Sequence, residues 1–154
     1  IEIRRRKNQL TAVMLANADR DNGQRLCVKA CLTCHRLGGQ GGAIGPDLTG
    51  SQRDNLDYLL SNIVDPSAEI DRAFCTTVME TESGRTISGI VVEETAATTT
   101  LQTATERMTL SNNEIAARSF SEKSLMPEGI LNDMSDAAVR DLFAYLMTYA
   151  QEPK

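Results

Sequence analysis

The sequence predicts a mainly α-helical fold interrupted by a small antiparallel β insertion, and three observations carry that prediction. Apolar residues recur at helical spacing near both ends of the chain and in Asn55 to Val64, where Leu56, Leu59, Leu60 and Ile63 share one face. Between Phe74 and Phe120, Thr, Val and Ile dominate instead, punctuated by Glu82-Ser83-Gly84 and Thr95-Ala96-Ala97, the composition of short strands joined by turns. Gly38 to Pro46 follows neither period and reads as a loop.

In chain order, residues 1 to 18 form one amphipathic helix in this reading, with Ile3, Leu10, Val13, Met14 and Ala18 near one face. Residues 1 to 20 are expected to be a helix or linker from a preceding region, and 21 to 150 the domain proper. Asp19 to Gly23 is a polar break, and Gln24 to Cys34 a short helix. Five of the ten glycines fall between Gly38 and Gly45, which lets the backbone there approach a ligand closely. The Asn55 to Val64 helix stops before Asp65-Pro66. Strands are expected near 74 to 81, 85 to 93, 98 to 103, 106 to 110 and 114 to 120. The last helix runs from Ser135, which caps it, to Tyr149, with Val139, Leu142, Phe143 and Leu146 in its apolar stripe and Pro153 beyond its end.

Composition narrows the function. The chain has 154 residues, the size of one domain, but it is only 41% hydrophobic and 4% aromatic with no Trp, a thin supply for a self-sufficient core. A large apolar cofactor at the centre would repair that deficit. The first seven residues carry net +3 within a chain of net −5, leaving an acidic body that disfavours nucleic acid and suits a partner with a positive docking patch. Arg4-Arg5-Arg6-Lys7 is expected to be a solvated helix start or linker. No run of 18 apolar residues is present, so no direct membrane insertion is expected of this segment, and Ile1 is taken as the boundary of a processed or excised piece.

Cys31-Leu32-Thr33-Cys34-His35 carries the chemistry. Cys-x-x-Cys-His is the pattern of covalent haem c attachment: two thiols add to the vinyl groups on one edge of the porphyrin, and the adjacent imidazole becomes the proximal iron ligand. One covalent haem c is therefore expected. Because that haem is attached outside the cytoplasm, a periplasmic or otherwise extracytoplasmic location follows. His35 is the only histidine, so the sixth iron position must be filled by Met, Lys, an amine, water or nothing. Of six methionines, Met126 stands apart: Pro127 pushes it into extended backbone, which can aim a thioether at a metal. Met14, Met79, Met108, Met134 and Met147 read as core or surface filler. His35 and Met126 are thus the expected metal ligands, a pairing that raises the reduction potential and closes the iron to substrates.

Around them, the Pro46 carbonyl is a candidate acceptor for the second imidazole N–H, with an ordinary turn as the alternative reading. Leu48, Leu56, Leu59 and Ile63 are assigned to the apolar wall of the haem site. Arg53 and Tyr58 are placed at solvated surface, with bonding to haem propionates as the alternative. Cys27 and Cys75 remain as an even pair: a disulfide in an oxidising compartment, or two small buried hydrophobes.

CLTCHRLGGQGGAIGPDLTG, NIVDPSAEI and SLMPEGILNDMSDAAVRDLFAYL together resemble the haem-binding c-type cytochrome domain of planctomycete and verrucomicrobial proteins, a variant of the class I cytochrome c fold, from about Gly23 to Ala150. The resemblance implies a helical cytochrome core around one haem with a β-rich insertion, 74 to 120, before the distal methionine loop. It implies thioether roles for Cys31 and Cys34, proximal and distal ligation by His35 and Met126, and Pro46 as the imidazole's partner. It also implies a longer parent chain bearing a β-propeller, dehydrogenase-like or helical-repeat region. Cys27 and Cys75 stand where that pattern has bulky aromatic residues, which hints at a disulfide of this chain's own.

The function predicted is electron transfer between a redox protein or fused oxidoreductase domain and another carrier, not catalysis. Three alternatives compete with it: a haem enzyme or gas-binding domain with an open distal site, a structural zinc module using Cys27, Cys31 and Cys34 with His35 or Cys75, and a binding role for the β insertion. The zinc reading suffers because adjacent Cys34 and His35 rarely bind one tetrahedral ion and no second Cys-x-x-Cys exists. Open-site catalysis lacks a second histidine to serve as distal acid or base.

Overall fold

The computed structural model describes residues 1–149. The chain divides into two compact units: Ile1–Ala68 together with Pro127–Lys154, and Glu69–Met126.

The first unit holds five helices, α1 (Glu2–Asn8), α2 (Ala12–Ala16), α3 (Arg20–Ala30), α4 (Leu56–Val64) and α5 (Asp136–Tyr149), and a two-strand hairpin, β1 (Arg36–Leu37) with β2 (Gln40–Gly41). The single helix expected over 1 to 18 is two short ones. Thr11 starts α2 by accepting the Met14 N–H, and the break lets Leu10 turn inward to 1% exposure while Val13 and Met14 stay in solvent. The polar break expected at 19 to 23 is instead the first turn of α3, because the Asp19 carboxylate caps it by accepting the Asn22 N–H at 3.0 Å. Helix α3 ends at Ala30, so the Cys-x-x-Cys-His segment lies in turns after the helix. Gly38 and Gly39 make the two-residue turn of the hairpin with φ of 60° and 82°, a conformation that costs glycine little.

Helices α3 and α5 meet at Gly23. A Cβ there would overlap the Asp141 carbonyl and lie 2.8 Å from the Tyr145 Cβ, so this crossing requires glycine. Asp141 reinforces it by accepting from the Asp19 N–H at 2.8 Å and from the Asn22 side-chain amide at 2.9 Å. Val139, Leu142, Phe143 and Leu146 of α5 are buried, as are Leu59, Leu60 and Ile63 of α4. Arg6 departs from the solvated helix start expected of the basic run. It is buried, donating to the Glu2 carboxylate at 2.8 Å and to the Leu131 carbonyl at 3.3 Å. Lys7 pairs with Asp57 at 2.7 Å. With Arg5 also on the Glu2 carboxylate at 2.8 Å, three of the four basic residues of this run are paired inside their own unit.

The second unit is a five-stranded antiparallel sheet, β3 (Thr77–Thr81), β4 (Thr86–Glu94), β5 (Thr98–Gln102), β6 (Arg107–Ser111) and β7 (Ile115–Phe120), in the order β6-β5-β4-β3-β7. Short 3₁₀ turns occupy Arg72–Phe74 and Asn112–Glu114. Met79 pairs with Ile87 across β3 and β4, Leu101 with Met108 across β5 and β6, and Met79, Ile87, Leu101 and Leu110 form a buried cluster of the unit. With 34% helix and 23% strand, the chain is mixed rather than mainly α. The shortfall of helix against expectation lies in residues 1 to 18, where α1 and α2 are two separate short helices; α3 keeps its expected eleven residues, shifted four positions earlier.

Candidate haem-attachment site

The site is built on the exit from α3. Cys31 ends the helix with its N–H on the Cys27 carbonyl at 2.8 Å, and the chain then tightens: Leu32 N–H returns to the same carbonyl at 3.1 Å, and Cys34 and His35 N–H groups to the Cys31 carbonyl at 3.2 and 2.9 Å. Cys31, Cys34 and His35 thus leave one compact turn, each half-buried. The following loop folds back over that turn through Gly42 N–H to Leu32 carbonyl at 2.9 Å and Gly45 N–H to Cys34 carbonyl at 2.8 Å.

The loop fixes the imidazole in two ways. The His35 Nδ1 lies 2.7 Å from the Pro46 carbonyl oxygen. A carbonyl only accepts, so Nδ1 carries a proton, and in the neutral ring the lone pair is then on Nε2. Gly45 packs against the ring face, where a Cβ would lie 2.6 Å from Cε1 and 2.8 Å from Nδ1. This is the tautomer and restraint that an axial iron ligand requires, and these residues fit a covalently attached haem.

The apolar residues assigned to the haem wall divide. Leu59 and Ile63 are buried on α4, whereas Leu56 and Leu48 are half-buried. Tyr58 is exposed, as a surface residue should be. Arg53 is the departure. Expected at the surface, it is 1% exposed, with its guanidinium donating to the carbonyls of Leu48 at 2.8 Å, Thr49 at 3.2 Å and Leu146 at 2.7 Å. Nothing in Ser51-Gln52-Arg53-Asp54-Asn55 signals burial, because its neighbours are all polar.

The proposed disulfide is absent: Cys27 and Cys75 are free thiols. Cys27 sits on α3 one turn before Cys31 and is fully buried, with the Cys31 thiol as its interaction partner. That interaction, with burial added, pushes the Cys27 thiol well above its usual range, and the same interaction draws the Cys31 thiol down. Cys75 belongs to the sheet unit, half-buried just after the 3₁₀ turn. Met126 is the last residue of that unit, half-buried, with its N–H on the Ser124 hydroxyl at 3.1 Å. Among the described residues no three of His, Cys, Asp and Glu gather as a metal cage, and no helix is long and apolar enough to cross a membrane.

A Cys-x-x-Cys-His turn whose histidine Nδ1 is held by a backbone carbonyl has the pattern of a haem c attachment site. Consistent with that class, residues 21–90 match the Cytochrome c family, just under half of the chain, from the first turn of α3 through α4 and into β4. No curated protein matches the sequence. The match supports a c-type cytochrome domain; such domains generally carry electrons and are typically extracytoplasmic. Haem c, held covalently, is its cofactor.

Proposed function

We propose that this chain is a single-haem electron carrier of the planctomycete and verrucomicrobial kind, working outside the cytoplasm and exchanging electrons with a redox protein or a fused oxidoreductase domain. The observation that carries the reading is the His35–Pro46 contact at 2.7 Å directly after Cys31 and Cys34. Haem c, when bound, supplies one reversible Fe(III)/Fe(II) couple.

The chain's own residues do the rest. The Cys31 and Cys34 thiols would hold the haem covalently, each S–H adding across one vinyl C=C to leave a thioether. His35 offers Nε2, and Pro46 keeps the proton on Nδ1 and the ring in one orientation. Met126 is the proposed sixth ligand, on the strength of the backbone bias imposed by Pro127 and the lack of any second histidine. A neutral thioether there favours Fe(II) and denies the iron to substrates. Leu48, Leu56, Leu59 and Ile63 are proposed as the apolar wall that excludes water. The net charge of −5 suits a partner with a basic docking face.

The test is production with haem-ligation machinery, followed by intact mass and visible spectroscopy of wild type and Met126→Ala. The expected wild type gains the mass of one haem and is six-coordinate and low-spin, while Met126→Ala turns high-spin and binds carbon monoxide. Colourless wild type refutes the reading. A variant with an unchanged low-spin spectrum removes Met126 from the iron.

A further inference from the structure

The loop that carries the Pro46 carbonyl is held from two sides. On one side the Leu48 N–H donates to the carbonyl of Arg36, the residue after His35, at 2.8 Å, and the Thr49 hydroxyl accepts the Gly38 N–H at 2.9 Å. On the other, the buried Arg53 guanidinium takes the Leu48 carbonyl at 2.8 Å and the Thr49 carbonyl at 3.2 Å, with its remaining arm on the Leu146 carbonyl at 2.7 Å. Leu146 lies in α5, three residues before the last described one, Tyr149. Both backbone groups of Leu48 are therefore engaged, two residues after the carbonyl that orients His35. A planar guanidinium reaches three divergent carbonyls at fixed angles, which an ammonium cannot do.

We propose that Arg53 is a positioning residue that sets the electron donation of His35 to a haem iron, by holding the 46–49 loop so that the Pro46 carbonyl stays on Nδ1. The inference rests on the electron-carrier reading above. A short Nδ1–H···O=C bond makes the imidazole more basic and so stabilises Fe(III); a slack one favours Fe(II). Arg53 thus acts on the iron through Leu48 and Pro46.

The test compares wild type, Arg53→Lys, which keeps the charge and loses the fork, and Thr49→Val, which slackens the same loop from the Gly38 side. In haem-loaded protein, Arg53→Lys is expected to retain both thioethers and to shift the reduction equilibrium about tenfold toward Fe(II), about 59 mV upward for a one-electron couple. Thr49→Val shifts the same way by less. In the haem-free chain, the ring nitrogen chemical shifts of His35 should move from a fixed Nδ1–H tautomer in wild type toward the mixture of a free imidazole in Arg53→Lys. A variant less stable than wild type but with the same potential and the same tautomer overturns the proposal, and so does a potential that falls. If Arg53→Lys does not fold, Thr49→Val decides: an upward shift supports the role and no shift refutes it. Wild type that takes up no haem defeats the electron-carrier reading itself, and the tautomer comparison still tests whether Arg53 orients His35.

Discussion

Replacing Gly23 by alanine tests the packing that brings α3, and with it the cysteine turn, against α5. A Cβ at position 23 would overlap the Asp141 carbonyl and sit 2.6 Å from its carbon and 2.8 Å from the Tyr145 Cβ. Ordinary carbon contacts lie near about 3.5–4.0 Å, so the helices must part by roughly 1 Å, and backbone atoms cannot rotate aside as a flexible side chain would. A gap of that size forfeits about a quarter to a half of the dispersion across the contact. It also stretches the bonds from Asp19 N–H and Asn22 to the Asp141 carboxylate. Overpacking of this kind costs about 3 kcal/mol, and the better helix propensity of alanine returns about 1 kcal/mol. The net expectation is a loss of about 2 kcal/mol, or roughly 4–8 °C in Tm for a chain of this size. Gln24→Ala, at an exposed position on the same helix, places an alanine there without the overlap and with only a small propensity gain. Thermal and denaturant unfolding of both variants is the assay. Gly23→Ala as stable as Gln24→Ala would refute the close approach.

Two further expectations follow from other parts of the molecule. Leu101 is fully buried in the sheet cluster with Met79, Ile87 and Leu110, so Leu101→Ala should cost about 2–5 kcal/mol in denaturant unfolding; a loss under about 1 kcal/mol would show that the cluster is not packed as described. The Glu2 carboxylate, hydrogen-bonded first by Arg5 and then by Arg6, is held down at about 2. Its folded pKa lies below that of an unfolded glutamate, so its contribution is present above about pH 4.5 and disappears as pH falls through about 2. Carboxyl titration by NMR should give that low midpoint, and Glu2→Gln should flatten the acid limb of the stability curve over the same window; a midpoint near 4.3 would break the assignment.

The sequence by itself determined the elements whose signal is local. Helix α4 was readable because Leu56, Leu59, Leu60 and Ile63 repeat at helical spacing, and α5 because Ser135 caps an apolar stripe; the Ala138 N–H does donate to the Ser135 hydroxyl at 3.1 Å. All five strands of the sheet were legible for the same reason, since β-branched runs between polar turns are a short-range code. The cysteine motif is likewise local chemistry. What tertiary structure decided concerns residues whose state depends on something distant in the chain. Arg53 looks solvated among polar neighbours, but it is buried because the Leu146 carbonyl, far along the chain in α5, is there to receive it. Arg6 is buried by Leu131 in the same way. Cys27 meets Cys31 rather than bonding to Cys75, because one helical turn places the first two on the same face. Gly23 looked like a break and is the point where two helices touch. Periodicity and capping are written in neighbouring residues, whereas burial of a charge or a close backbone approach depends on what the fold brings opposite, which no local pattern encodes.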